Sequence, residues 1–155
     1  MIRRGIALIM LLAVIPGNGP VWAGTNERVV TDRYTGLAIG GFDPVAYFTD
    51  KEAMAGLPDY ELTEDGVVWR FRNEGNRAEF LAHPEIYGPQ FGGYDPVDLA
   101  RGVAIAGTPR LWLVVGQRLY LFGREDNRDA FSAAAARILP DAVRQWPQVR
   151  HMLAR

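Results

Sequence analysis

Cysteine is absent from all 155 residues, and serine and lysine occur once each, as Ser132 and Lys51. Without a thiol there is no Cys nucleophile, no Cys-type zinc site, no iron–sulfur cluster and no disulfide, so stability must come from packing. Ser132 lies in "FSAAAAR", a helix-like run in which a hydroxyl is merely a small side chain. A Ser-His-Asp hydrolase is therefore excluded. Lys51 stands between Asp50 and Glu52 in a polar turn, a solvated setting unlike the desolvated amine that Schiff-base chemistry wants. Histidine is scarce too, at positions 83 and 151. No run of basic residues exceeds two and the formal net charge is −1, so no nucleic-acid surface is expected.

The first residues have the layout of a secretory leader. Arg3 and Arg4 precede an apolar run from Ile6 to Ile15, then Pro16-Gly17 breaks the pattern and Val21-Trp22-Ala23 suits cleavage after Ala23. Ten apolar residues are half the ~20 that a spanning helix needs, so no stable membrane anchor is expected after cleavage. No Ser or Thr precedes the arginine pair and no Phe-Leu-Lys follows it, which favours the general secretory route over the twin-arginine one. The expected organisation is a signal peptide over 1–23, a flexible lead-in over 24–36 and one domain over 37–155. The expected location is periplasmic or secreted.

What the domain does contain is a repeat. "GGFDPV" at Gly40–Val45 returns as "GGYDPV" at Gly92–Val97, and at an offset of 51 the register continues. Ala55-Gly56-x-Pro58 answers to Ala106-Gly107-x-Pro109, Trp69 to Tyr120, Phe71 to Phe122, and "EGNRAEF" to "EDNRDAF". Register kept over some forty residues means duplication, with units at about 40–91 and 92–147. In each unit, alternating apolar residues flank a turn pair, Asp65-Gly66 or Gly116-Gln117, and so predict a β-hairpin. A helix follows each hairpin, over Glu74–Ala82 with Asn73 as N-cap, and over Glu125–Leu139. Pro84 and Pro140 are expected to stop these helices, and Pro147 to interrupt a short helix at Asp141–Gln145 before a last turn at Val149–Ala154. Two repeats are too few for a solenoid. The expected fold is α+β: two duplicated loop–β-hairpin–helix units in one compact pseudo-two-fold domain, with Trp69, Phe71, Phe80, Tyr120, Phe122 and Phe131 in a shared core.

"GLAIGGFDPVAYF", then "WRF", then "NRAEFLAHPEIYGPQFGGY", with "WP" near the C-terminus, resembles the secreted bacterial YHS-domain proteins over about residues 36–147. The resemblance implies a small binding domain whose cysteines, in metal-transport relatives, hold soft metal ions. Carried onto this chain, those thiol positions fall at Ala46 and Asp98, at Arg72 and Gly123, at Asn76 and Asn127, and at Asp95. Every one lacks sulfur, and soft ions select thiolate or thioether ligands, so a thiolate-bound metal is not expected. Asp95 and Asp98, with His83, offer a hard-oxygen alternative for a divalent ion.

The remaining candidates have a structural reading and a binding one. Asp43-Pro44 and Asp95-Pro96 suit a pinned turn, since Asp accepts from amides two or three residues on and Pro sets φ. Beside them, Tyr47 and Tyr94 are candidates to line a pocket. Arg77 and Arg128 either converge on an anion at the helix starts or pair with a nearby carboxylate such as an Asp of the DPV loop, while Asn76 and Asn127 seal the first turn. His83, at the end of the first helix, suits a surface or capping role. The expected function is a non-enzymatic YHS-type binding or scaffold domain whose partner is a small ligand or a periplasmic protein. The alternative is a metal-binding accessory protein with a rebuilt oxygen and histidine site.

Overall fold

The structure, a computed structural model, describes residues 28–153. The leader over 1–23 and the start of the lead-in lie outside the described residues. The fold is mixed α+β, with two separate two-stranded antiparallel sheets and five helices among the described residues. In chain order these are α1 (Ala46–Thr49), β1 (Leu57–Glu64), β2 (Val67–Phe71), α2 (Glu74–Ala82), α3 (Pro84–Tyr87), α4 (Pro96–Leu99), β3 (Thr108–Val115), β4 (Arg118–Phe122) and α5 (Glu125–Met152). Single 3-10 turns at Ile39–Gly41 and Gln90–Gly93 open the two units. Among the described residues no helix is long and apolar enough to cross a membrane.

The duplication extends to the hydrogen-bond register. Leu57 pairs with Phe71 and Glu61 with Arg70; fifty-one residues on, Thr108 pairs with Phe122 and Trp112 with Leu121. Both ladders break at the same place, between Leu57 and Glu61 and between Thr108 and Trp112. Pro58 and Pro109 fall in those breaks, where a residue without an amide hydrogen costs the ladder nothing. Asp65, Gly66, Gly116 and Gln117 all have positive φ, the backbone that a two-residue turn needs to match the twist of its strands.

Each hairpin packs its aromatic face on the helix that follows. Trp69 and Phe71 meet Phe80 at ring-centroid distances of 4.7 and 5.3 Å, and Tyr120 and Phe122 meet Phe131 at 4.8 and 5.4 Å. All six rings are buried as expected, but they form two triads rather than one shared core. The sharing is done by β4: its alternate residues Leu119 and Leu121 pack into the first unit's cluster while Tyr120 and Phe122 face the second unit's helix. Tyr47 ties the units further, its hydroxyl donating to the Pro109 carbonyl at 2.8 Å and its ring meeting Trp112 edge-on at 5.1 Å.

Two further expectations are corrected. The described part of the lead-in is tied into the fold. Val30 donates to the Gly92 carbonyl and accepts from Ile39, while Asp32 holds a turn by accepting from the amides of Tyr34 and Thr35. Gly92 permits that crossing, because a Cβ there would collide with the Arg28 carbonyl. The second correction concerns α5, which continues through Pro140 and Pro147 to Met152 and bends instead at Ala134 (φ −147°, ψ 34°). The distal arm is held by tertiary packing: Ala142 and Val149 bury against Leu99, with Trp146 and Phe91 beside them. Burial of that face outweighs the local cost of proline in a helix. The first helix ends at Ala82 as expected, and Pro84 then starts the short α3.

Candidate functional site

The repeated DPV loops place a fully buried carboxylate in each unit. Asp43 Oδ1 accepts from the amides of Val45 (2.8 Å) and Ala46 (3.4 Å), which closes its own turn. Its Oδ2 accepts from the Arg72 amide (2.8 Å) at the end of β2 and from Asn76 Nδ2 (2.7 Å) in the first turn of α2. The second unit repeats the pattern: Asp95 Oδ1 accepts from the Val97 amide at 2.9 Å, and Oδ2 from the Gly123 amide and Asn127 Nδ2, both at 2.9 Å. Each carboxylate thus latches loop, strand end and helix start together. Hydrogen bonds of this kind are what make a buried charge tolerable.

Asp98, where the first unit has Ala46, adds a second carboxylate to the latter latch. It accepts from Asn127 Nδ2 at 2.9 Å and pairs with Arg101 and Arg124 at 3.0 and 3.4 Å. His83 is on the surface beside Glu85, Nδ1 to Oε1 3.6 Å. Among the described residues no group of three His, Asp or Glu side chains is gathered where it could hold a metal ion, so Asp95, Asp98 and His83 are not brought together. Nor do the two arginines converge. Arg77 pairs with Glu74 (2.8 Å) and Arg128 with Asp129 (3.1 Å), each on its own helix. The expected partnership with the DPV aspartates belongs to the neighbouring asparagines instead. Asn76 also takes the expected cap on its amide, donating to Asn73 Oδ1 at 2.8 Å.

Tyr47 and Tyr94 are both buried, in different surroundings. Tyr47 borders an open apolar shelf with Phe48, Lys51 and Trp112–Val114, whereas the Tyr94 ring lies 6.1 Å from that of Trp146. Burial, and secondarily the Asp43 charge, pushes the Tyr47 phenol well above the ordinary tyrosine range; Arg110 opposes the shift. The phenol serves here as a hydrogen-bond donor to the Pro109 carbonyl.

A cleft of about 340 Å³ lies elsewhere, where β2 and α2 meet the segment at Arg28–Val29, the connection from Pro84 to Gly92, and the distal arm of α5. Trp69, Phe80, Phe91 and Trp146 supply aromatic walls. Arg28 and Arg150 bring two positive charges, and Glu64, Asp65 and Glu85 three negative ones. Trp69 is 4% exposed, and its buried Nε1–H meets no acceptor among the described residues. Sequence reasoning placed Trp69 and Phe80 in the core, where they are, but missed the cleft. Its walls come from three separate stretches of the chain, at 28–29, 64–92 and 146–150, and no local pattern marks them as neighbours. No family model, curated protein or solved structure matches the chain.

Proposed function

We propose that the chain is an exported, non-catalytic binding module of the cysteine-free YHS type, in which the family's thiol positions serve the fold instead of a metal. One observation carries this reading. At Asn76 and Asn127, where the resemblance puts a thiol, the side chain donates to the aspartate of the DPV loop in both units. An amide engaged there holds the helix to the loop, and the carboxylate it holds has its other contacts taken by backbone amides. The ligand is then a small molecule or a periplasmic protein.

Binding to the native state raises apparent stability, so the melting temperature tests the metal alternative directly. We expect it to stay flat on addition of Ca²⁺, Mn²⁺, Zn²⁺ or Cu²⁺. A rise that Asp95→Ala removes would replace this reading with the metal-accessory one, in which Asp95 and Asp98 are ligands. Export rests on the leader pattern of residues 1–23. Protein recovered from a periplasmic fraction is expected to begin at Gly24, whereas recovery from the cytosol alone with residues 1–23 retained would overturn export.

A further inference from the structure

We propose that the outer edge of β3 takes up an extended segment of a partner protein as an added strand, a segment whose apolar residues are flanked by a carboxylate. The proposal rests on the binding-module reading and chooses a protein over a small molecule as the partner.

The backbone names the kind of partner. Gly116-Gln117 is a two-residue turn with positive φ at both positions, so its flanks Val115 and Arg118 exchange hydrogen bonds, as do Leu113 and Tyr120 two residues on. Trp112 and Val114 therefore turn their amides and carbonyls away from β4. No other group among the described residues bonds to those amides and carbonyls. A row of donors and acceptors of this kind is what another strand meets, and a peptide laid along it gains main-chain bonds.

The edge is open and apolar. The shelf beside it is lined by Trp112, Leu113 and Val114 in succession, with Tyr47 and Phe48 of α1. Consecutive side chains of a strand point to opposite faces, so three in a row border one surface along the strand's edge. All five residues from Leu111 to Val115 are apolar and half-buried, whereas Leu119 to Phe122 on the next strand are buried. The duplication supplies a control. The matching stretch of β1, Tyr60–Glu64, carries Glu61 and Glu64, charges of the kind with which edge strands discourage pairing. β3 has no such guard.

Charge selects among strands. Lys51, the chain's one lysine, lines the shelf and forms no ion pair with a described residue. Its neighbours Asp50 and Glu52 do not line the shelf. The run Leu111–Val115 of a second copy has no carboxylate to offer that lysine. A segment with an acidic residue beside its apolar ones complements the edge better than self-pairing does.

The test adds an acetylated, amidated peptide, Glu-Val-Thr-Val-Thr-Val-Glu, to the ¹⁵N-labelled protein and follows the amide resonances. An acid at each end serves either strand direction. We expect saturable shifts at Trp112 and Val114, with their counterparts Glu61 and Thr63 on β1 unmoved. The same peptide N-methylated at its central residues can donate from neither edge, and should bind at least about tenfold more weakly, the worth of one net hydrogen bond. Replacing both of its acids by lysine should weaken binding about threefold, the scale of an exposed ion pair, and Lys51→Glu should reverse that preference. Should the variant fold poorly, the peptide series on the unaltered protein decides. No saturable shift overturns the docking edge. Equal binding of the N-methylated peptide overturns strand addition, and equal binding of the lysine-ended one overturns the carboxylate. Shifts at Trp112 and Val114 that follow protein concentration without peptide assign the edge to a second copy and overturn the proposal. Native mass spectrometry of the protein purified without added ligand separates the two levels. A co-purified small molecule alongside a failed peptide removes this edge and leaves the binding module standing, while a bare mass with a failed peptide counts against both.

Discussion

Asp43 and Asp95 show how one residue type can be both a repeated motif and a purely internal component. Their oxygens accept from groups on three successive elements, so removing one carboxylate strands several buried donors at once. Asp43→Ala and Asp95→Ala should each lower stability by about 2–4 kcal/mol, the usual range when charged hydrogen bonds are lost and their partners left unmet. Urea denaturation measures this. The double substitution Asp43→Ala/Asn76→Ala should cost less than the sum of the singles by about 1 kcal/mol, because the pair shares one hydrogen bond. Additive costs would mean that the latch is not a unit. Tyr47 offers a pH signature at the same scale. Its folded pKa is raised, chiefly by burial, so the folded state keeps a proton that the unfolded chain loses near the ordinary value of 10.0. Its contribution is complete below about pH 10 and declines as pH rises beyond it. Tyr47→Phe should therefore flatten the alkaline fall in melting temperature. At neutral pH it should cost about 1 kcal/mol, from the lost bond to the Pro109 carbonyl.

Between elements, close approach is governed by glycines at matched positions. Gly56 donates to the Gly41 carbonyl and Gly107 to that of Gly93, which brings the start of each hairpin against its own GG turn. A Cβ at Gly56 would sit 2.5 Å from the Arg70 carbonyl carbon, and one at Gly107 2.5 Å from Leu121 Cβ. Gly56→Ala and Gly107→Ala should each destabilise by about 1–3 kcal/mol through overpacking, read by thermal denaturation. A substitution tolerated at only one of the two would show that the two units do not carry equal strain. The distal arm of α5 teaches a different lesson. Local rules end a helix at Pro140, yet the arm buries Ala142 and Val149 against α4, and that contact keeps it helical. Both hairpins and α2, by contrast, follow their local signals, since turn pair, alternation and N-cap all agree there.

At the scale of the molecule, the two units are one folding entity. Leu119 and Leu121 of the second hairpin complete the first unit's core, and Tyr47 of the first unit bonds across to β3. Residues 24–91 expressed alone should therefore lack dispersed amide resonances, and the whole chain should unfold in a single transition seen alike by tryptophan fluorescence and circular dichroism. Two separate transitions would show that the duplicated units retain independent stability. The cleft beside Trp69 exists only at this scale, since Trp146 and Arg150 of the distal arm line it together with Trp69 of β2 and Phe80 of α2.

The chain's own letters determined its α+β class, its duplication, both hairpin turns, the first helix and its cap, and the burial of six of its aromatic rings. Each of these rests on interactions between residues close in sequence, or on a periodicity that one face of an element imposes. Composition by itself removes thiol chemistry, since the chain has no cysteine. Tertiary structure decided the rest. The choice of Asn76 and Asn127, rather than Arg77 and Arg128, as partners of the buried aspartates turns on the direction in which each side chain leaves its helix at the point of docking. The division of the aromatics into two triads follows from β4 being buried on both faces. The passage of α5 through two prolines and the closure of a cleft from three separate stretches of the chain depend on burial between surfaces that no local pattern brings together.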